Sequence, residues 1–77
     1  MAKTLKIGSV GLGRLGYEHA KNIANYVTGA ELTAICDTDA ERVAQVAEEL
    51  NVPYTYTDVA EMVKNPDLDA IVVVSPS

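Results

Sequence analysis

Apolar residues recur along the chain at two different spacings, and each change of spacing predicts a change between strand and helix. A spacing of two, or a short unbroken apolar run, favours a strand, whereas spacings of three and four favour a helix. Strands are predicted over residues 6–10, 31–36, 54–56 and 69–74. Helices are predicted over residues 14–27, from an S/T-x-x-E capping box at 38–41 to residue 50, and from Asp58 to the break at Asn65-Pro66-Asp67.

The resulting order, β-α-β-α-β-α-β, predicts an α/β fold. Hydrophobic strands that alternate with helices pair in parallel through right-handed crossovers. This order is the first half of a doubly wound fold, so we predict a partial Rossmann fold with a four-stranded parallel sheet in the order 3-2-1-4. The fourth strand is apolar without alternation, which predicts that both of its faces are covered.

Side-chain positions follow from the same spacings. The second helix is predicted to bury Val43, Val46, Ala47 and Leu50, and the third to bury Val59, Met62 and Val63. We expect Cys36 to be a small buried strand residue rather than a reactive thiol, and Tyr54 and Tyr56 to lie on an edge strand.

Composition excludes several classes of protein. The 77 residues carry eleven acidic and six basic side chains, and a net charge of −5 argues against a nucleic-acid partner. The longest apolar run, residues 70–74, is far shorter than a membrane span. One cysteine allows no internal disulfide, and a scaffold this small without such a staple suits a piece of a longer, cytoplasmic protein.

The candidate chemistry lies between the first strand and the first helix. Residues 11–16 read Gly-Leu-Gly-Arg-Leu-Gly and match G-x-G-x-x-G, the phosphate-binding turn of dinucleotide-binding folds. Gly11 is predicted to allow the tight turn, Gly13 to let a pyrophosphate approach the backbone, and Gly16 to let helix and strand pack closely. The N–H groups of the first helical turn would then face the phosphates. A purely structural glycine turn is the alternative.

Asp37 is the second part of the candidate site. It lies 21 residues after Gly16, at the carboxyl end of the second strand, where a carboxylate can accept both ribose hydroxyls of an adenosine. Its charge would repel a 2′-phosphate, and neither Thr38 nor Asp39 supplies a cation, so NAD is favoured over NADP. The alternative is that Asp37 only caps the second helix.

Two further residues have open interpretations. Arg14 can steer phosphate or be an ordinary exposed arginine of a first helical turn. The packing stripe of the first helix is formed by Leu15, Ala20, Ile23, Ala24 and Val27. His19 lies on or beside this stripe, and packing or a hydrogen bond is favoured over catalysis because only Glu18 nearby offers a carboxylate.

Three segments together resemble one family. Residues 11–22, 34–37 and 69–76, including His19-Ala20 and Ser75-Pro76, are similar to the glucose–fructose oxidoreductase/inositol dehydrogenase/MocA family, and most similar to its inositol dehydrogenase branch. The resemblance covers essentially the whole chain and implies the N-terminal part of an NAD-binding domain. It implies that Gly11, Gly13, Arg14 and Leu15 surround the pyrophosphate, and that Ser75 and Pro76 line the pocket towards the nicotinamide.

The family's remaining features suggest what the chain does. They imply hydride transfer between a nicotinamide and a polyol or sugar that a second domain holds. The family's catalytic lysine, aspartate and histidine have no counterparts among these residues, so no catalytic residue is assigned. A non-catalytic dinucleotide sensor, or a chain that binds nothing, remains an alternative. Because the fifth strand of the usual order lies beyond these residues, the fourth strand is expected at an edge of the sheet. Its run of residues 71–74 carries no charge or proline, so two copies can pair through this edge or exchange elements.

Overall fold

The computed structural model describes residues 4–11, 13–26 and 28–74. The elements follow one another as β1 (Leu5–Val10), α1 (Arg14–Tyr26), β2 (Ala30–Cys36), α2 (Ala40–Leu50), β3 (Tyr54–Tyr56), α3 (Val59–Met62) and β4 (Ala70–Val73). The strands form one four-stranded sheet in the order β3-β2-β1-β4, and every neighbouring pair is parallel. The predicted α/β fold and its strand order are therefore confirmed, with element ends shifted by one or a few residues.

The sheet is centred on β1 and β2. Ile7 pairs with Leu32 and Gly8 pairs with Ala34, so the register shifts by one residue between these pairs. On its other side β1 pairs with β4, with Gly8 opposite Ile71. Because all four strands run in the same direction, their carboxyl ends meet at one edge, where ligands of doubly wound folds bind.

Helices cover the two faces of the sheet unequally. A larger cluster joins α1 and α2 to β2 through Ala20, Leu32, Ile35, Val43, Val46 and Val52. A smaller cluster lies beneath α3 and consists of Ala34, Cys36 and Met62, with four partly buried neighbours. The predicted inward residues of α2 are confirmed, since Val43 and Val46 are buried and Ala47 and Leu50 pack against them. Val27, predicted on the α1 stripe, lies outside the described residues.

The third helix and fourth strand are less buried than predicted. Met62 is fully buried, but Val59 and Val63 are 40% and 57% exposed. The reason is that α3 has only four residues, and a single turn directs only one of these side chains into the sheet. The prediction that both faces of β4 are covered is also wrong, because Val72 and Val73 are 36% and 67% exposed on this edge strand.

The start of α2 lies one residue later than the capping box predicts. Asp39, not Thr38, is the N-cap, and its carboxylate accepts a hydrogen bond of 3.1 Å from the Arg42 backbone N–H. Aspartate caps as well as serine or threonine, and the shift leaves Glu41 in the first turn, where the helix dipole favours a negative charge.

Among the described residues, none of the helices has the length and hydrophobicity needed to cross a lipid bilayer.

Candidate dinucleotide-binding site

The glycine motif forms the turn that links β1 to α1. Gly11 has a φ of +95°, a left-handed conformation that residues with a side chain rarely adopt. A Cβ at this position would also lie only 2.5 Å from the Val74 carbonyl oxygen. Gly11 therefore meets both a conformational and a steric requirement of the turn, as predicted from its place in the motif.

The other two glycines differ in their surroundings. A Cβ on Gly16 would overlap the carbonyl oxygen of Gly11, so the helix approaches the turn as closely as a glycine allows. By contrast, a Cβ on Gly13 would have no neighbouring atom within 4 Å among the described residues. Gly13 is exposed, and no described atom occupies the space next to its Cα.

The N-terminus of α1 adds a positive electrostatic potential beside Gly13. The helix has 13 residues and carries no acidic residue in its first turn. Its hydrogen-bond ladder begins with the Tyr17 N–H, which donates to the Gly13 carbonyl oxygen at 2.8 Å. The N–H groups that precede Tyr17 have no acceptor within an ideal helix, and with the helix dipole they favour an anion such as a phosphate.

Asp37 lies next to this turn, at the carboxyl end of β2. The Gly11 N–H donates to the carbonyl oxygen of Cys36, the residue before Asp37, at 2.8 Å. The Asp37 carboxylate accepts a hydrogen bond of 3.0 Å from the Asp39 N–H, and the Asp37 N–H donates to the Tyr56 carbonyl oxygen at 3.2 Å. The carboxylate is half-buried and oriented by its own turn, so it is positioned and still accessible.

Cys36 is buried, as predicted, with only 1% of its surface exposed. Burial raises the pKa of its thiol, and the negative charges of Asp37 and Asp58 raise it further. A thiol with a raised pKa holds little of the thiolate that reacts, which fits a packing role.

The remaining predicted residues have different outcomes. His19 is exposed, which contradicts packing against the α1 stripe, whereas the alternative of a hydrogen bond stays a prediction. Arg14 and Leu15 lie in the first turn of α1, and their side chains lie outside the described part of the structure. Leu12, Ser75 and Pro76 lie outside the described residues. The edge-strand position of Tyr54 and Tyr56 is confirmed.

One contact beside the site, between α1 and α2, is not predicted from the sequence. The Tyr17 hydroxyl donates to the Glu49 carboxylate, and the Arg42 guanidinium carbon lies 5.2 Å from the centre of the Tyr17 ring. The hydrogen bond to Glu49 raises the pKa of the Tyr17 hydroxyl. Tyr17 and Glu49 are 32 residues apart, and nothing in the local pattern signals that they meet.

Within the described part of the chain, no group of three or more His, Cys, Asp or Glu residues is arranged to hold a metal ion.

A parallel sheet with a glycine turn at the first crossover and an acidic residue after the second strand defines a dinucleotide-binding Rossmann fold. Residues 5–77 match the model of the oxidoreductase family with an NAD-binding Rossmann fold, which is the glucose–fructose oxidoreductase/inositol dehydrogenase/MocA family. The chain belongs to this family, and it represents the NAD-binding part.

Relatives with assigned activities match all or nearly all of the chain. The chain is 39% identical over 77 residues to scyllo-inositol 2-dehydrogenase (NAD(+)) of Bacillus subtilis, and this match covers 100% of the chain and 22% of that protein. It is 38% identical over 71 residues to myo-inositol 2-dehydrogenase of Thermotoga maritima, covering 92% of this chain and 21% of that protein. The chain thus spans about a fifth of the length of these relatives.

A solved structure shows the same arrangement. Scyllo-inositol dehydrogenase from Lactobacillus casei, crystallised with NAD(H) and scyllo-inositol, superimposes with a TM-score of 0.91 at 44% identity. The match covers 97% of this chain and 22% of that structure.

Proposed function

We propose that the chain binds NAD(H) for an oxidoreductase that transfers hydride between the nicotinamide and a polyol or sugar of the inositol class. Its relatives support this substrate class, since those described above are scyllo- and myo-inositol dehydrogenases. Bound NAD supplies the hydride acceptor, and the residues of this chain supply binding and orientation.

One hydrogen bond carries the proposal. The 2.8 Å bond from the Gly11 N–H to the Cys36 carbonyl oxygen ties the glycine turn to the residue that precedes Asp37. A group that binds pyrophosphate and a group that binds ribose are thereby held side by side, in the relation that an adenosine diphosphate requires. A purely structural glycine turn does not need an accessible carboxylate beside it.

The residues present fit NAD at both of these points. The surroundings of Gly13 are open where the pyrophosphate would lie, and the N-terminus of α1 favours its charge. The backbone groups of Gly11, Gly13, Arg14, Leu15 and Gly16 would hold the pyrophosphate, with Asp37 on the ribose hydroxyls. Ser75 and Pro76 would line the nicotinamide end. The Asp37 charge would disfavour a 2′-phosphate, so NAD is preferred to NADP.

The chain is proposed to be the N-terminal part of the dinucleotide-binding domain. Its relatives are more than four times its length, and the site described above contains no acid–base pair that could exchange a proton with a substrate hydroxyl. The groups that hold and deprotonate the polyol would then belong to a second domain.

The cellular location and the macromolecular partners of the protein are also proposals. The single cysteine of the 77-residue chain is a buried thiol, which suits the reducing cytoplasm. The net charge of −5 disfavours nucleic acid. In the 77-residue chain by itself, the β4 edge exposes Val72 and Val73 and carries no charge or proline over Ala70–Val73, so two copies of this chain are expected to form a homo-oligomer through it. In the whole protein a fifth strand would cover this edge. Sedimentation of the 77-residue Val73→Lys chain beside the unchanged chain tests the pairing, and equal masses would contradict it.

The experiment that tests the function is a calorimetric titration of the full-length protein with NAD and with NADP. Asp37→Asn keeps a side-chain oxygen for the Asp39 N–H but removes the charge, so weaker NAD binding and a smaller preference over NADP are expected. Glu48→Gln removes the same charge from an exposed position of α2 and should change neither. If NAD does not bind to the folded protein, the proposal fails.

Turnover separates the enzyme from the dinucleotide sensor. The full-length protein should reduce NAD in the presence of an inositol, with absorbance at the NADH band as the signal. NAD binding without turnover of inositols or other polyols would instead favour the sensor.

A further inference from the structure

We propose that Tyr17 is a positioning residue that couples the pyrophosphate half of the site to the ribose half. The inference rests on the proposed NAD site but concerns a residue outside the glycine motif. Tyr17 contacts both halves: its backbone takes part in the glycine turn, and its side chain reaches α2, which begins just after Asp37.

The backbone contact belongs to the pyrophosphate half. The Tyr17 N–H donates to the Gly13 carbonyl oxygen at 2.8 Å and so closes the first turn of α1. Gly13 is the glycine of the motif at which an added Cβ would meet no described atom within 4 Å, so the position of Tyr17 is linked directly to the backbone that would face the phosphates.

The side-chain contact belongs to the ribose half. The Arg42 guanidinium lies over the Tyr17 ring, with 5.2 Å between its central carbon and the ring centre. The Arg42 backbone N–H donates to the Asp39 carboxylate at 3.1 Å, and the Asp39 N–H donates to the Asp37 carboxylate at 3.0 Å. A continuous series of contacts therefore runs from the ring of Tyr17 to the carboxylate of Asp37.

A second contact restricts the ring. The Tyr17 hydroxyl donates to Glu49, which lies two helical turns after Arg42 on α2. The face of the ring thus contacts a cation near the start of α2, and its hydroxyl contacts a carboxylate near the end of that helix. Two contacts with the same helix favour one relative position of α1 and α2, and the relative position of the two half-sites depends on this.

The test is a double-mutant cycle on NAD affinity, measured by calorimetry on the full-length protein. Tyr17→Leu should weaken NAD binding about fivefold to tenfold when Asp37 is present, a size usual for coupling through packed residues. In the Asp37→Asn background the same change should cost less than about twofold, because the group that Tyr17 positions no longer holds the ribose. Equal losses in both backgrounds, or none, would overturn the inference.

A matched tyrosine separates positioning from general destabilisation. The exposed Tyr54 also donates its hydroxyl to a carboxylate, that of Asp67 at 3.0 Å, but it lies at the start of β3. Tyr54→Leu should lower thermal stability without changing NAD affinity, and a loss of affinity equal to that of Tyr17→Leu would contradict the proposal.

A milder variant keeps the test decisive if Tyr17→Leu does not fold. Tyr17→Phe retains the ring under Arg42 and loses only the bond to Glu49, so a loss of about twofold that vanishes with Asp37→Asn is expected. No loss, or one that persists with Asp37→Asn, would overturn the inference. If the unchanged protein fails to bind NAD, the proposed function fails. If Asp37→Asn weakens NAD binding as expected but the Tyr17 substitutions leave NAD affinity unchanged, only the coupling is overturned.

Discussion

The backbone of Gly16 lies so close to the carbonyl group of Gly11 that a methyl group at position 16 would overlap the carbonyl oxygen. The contact joins the first turn of α1 to the end of β1. Both partners are backbone, and neither can rotate away as a flexible side chain would.

Gly16→Ala should therefore destabilise the protein. The added methyl group would push α1 away from the turn, and overpacking of this kind costs about 1–3 kcal/mol. We expect the midpoint of denaturant unfolding to fall and NAD binding to be lost with the shape of the turn. An unchanged midpoint would show that α1 can move without cost.

Gly13→Ala should separate binding from stability. Its methyl group would meet no described atom within 4 Å, so the free energy of unfolding should stay within about 0.5 kcal/mol of the original value. The same methyl group would occupy the space proposed for the pyrophosphate, so NAD affinity should fall by about tenfold or more. This corresponds to a loss of about 1.4 kcal/mol or more of binding free energy. Calorimetry and denaturation of both alanine variants test whether Gly13→Ala loses NAD affinity without stability, whereas Gly16→Ala loses stability as well. Undiminished NAD affinity in Gly13→Ala would contradict it.

Ser9→Ala should stabilise the protein. Ser9 is fully buried in β1, and its hydroxyl has no hydrogen-bond partner among the described residues. Removing an unsatisfied buried hydroxyl recovers its cost of desolvation, so a gain of about 1 kcal/mol is expected in thermal or chemical unfolding.

Thr33→Val is the control for Ser9→Ala. Thr33 is also buried in a strand, but its hydroxyl lies 3.4 Å from the Glu31 carbonyl oxygen. Its replacement should give no gain, and equal gains at both sites would rule out the unsatisfied hydroxyl as the cause.

Stability should fall at alkaline pH through Cys36. Burial raises the pKa of its thiol above the value in the unfolded chain, about 8.5. The folded state therefore binds the thiol proton more tightly, and this contribution is complete below about pH 8.5 and lost as pH rises through the folded pKa. Unfolding followed from pH 7 to 10 should show a decline that is smaller in Cys36→Ala. Identical profiles would contradict the prediction.

The sequence predicts the parts of this fold that depend on local spacing. The glycine turn and the burial of Val46 follow from patterns within a few residues, and the strand order follows from the alternation of strands and helices along the chain. His19 and Val63 are exposed because packing depends on how long a helix is and on what lies opposite, neither of which the spacing records. The Tyr17–Glu49 contact depends on how α1 and α2 lie against each other, so it required the structure.

The pairing of β1 with β4 has a consequence for how the chain folds during synthesis. The Lys6 N–H donates to the Asp69 carboxylate, and these residues are 63 positions apart. The β1-α1-β2 unit can form early because its contacts are closer in sequence, and closing a longer loop costs more entropy. One side of β1 then remains unpaired until β4 has left the ribosome. At about 5–20 residues per second this takes seconds, during which the glycine turn already exists but the neighbouring β4 does not.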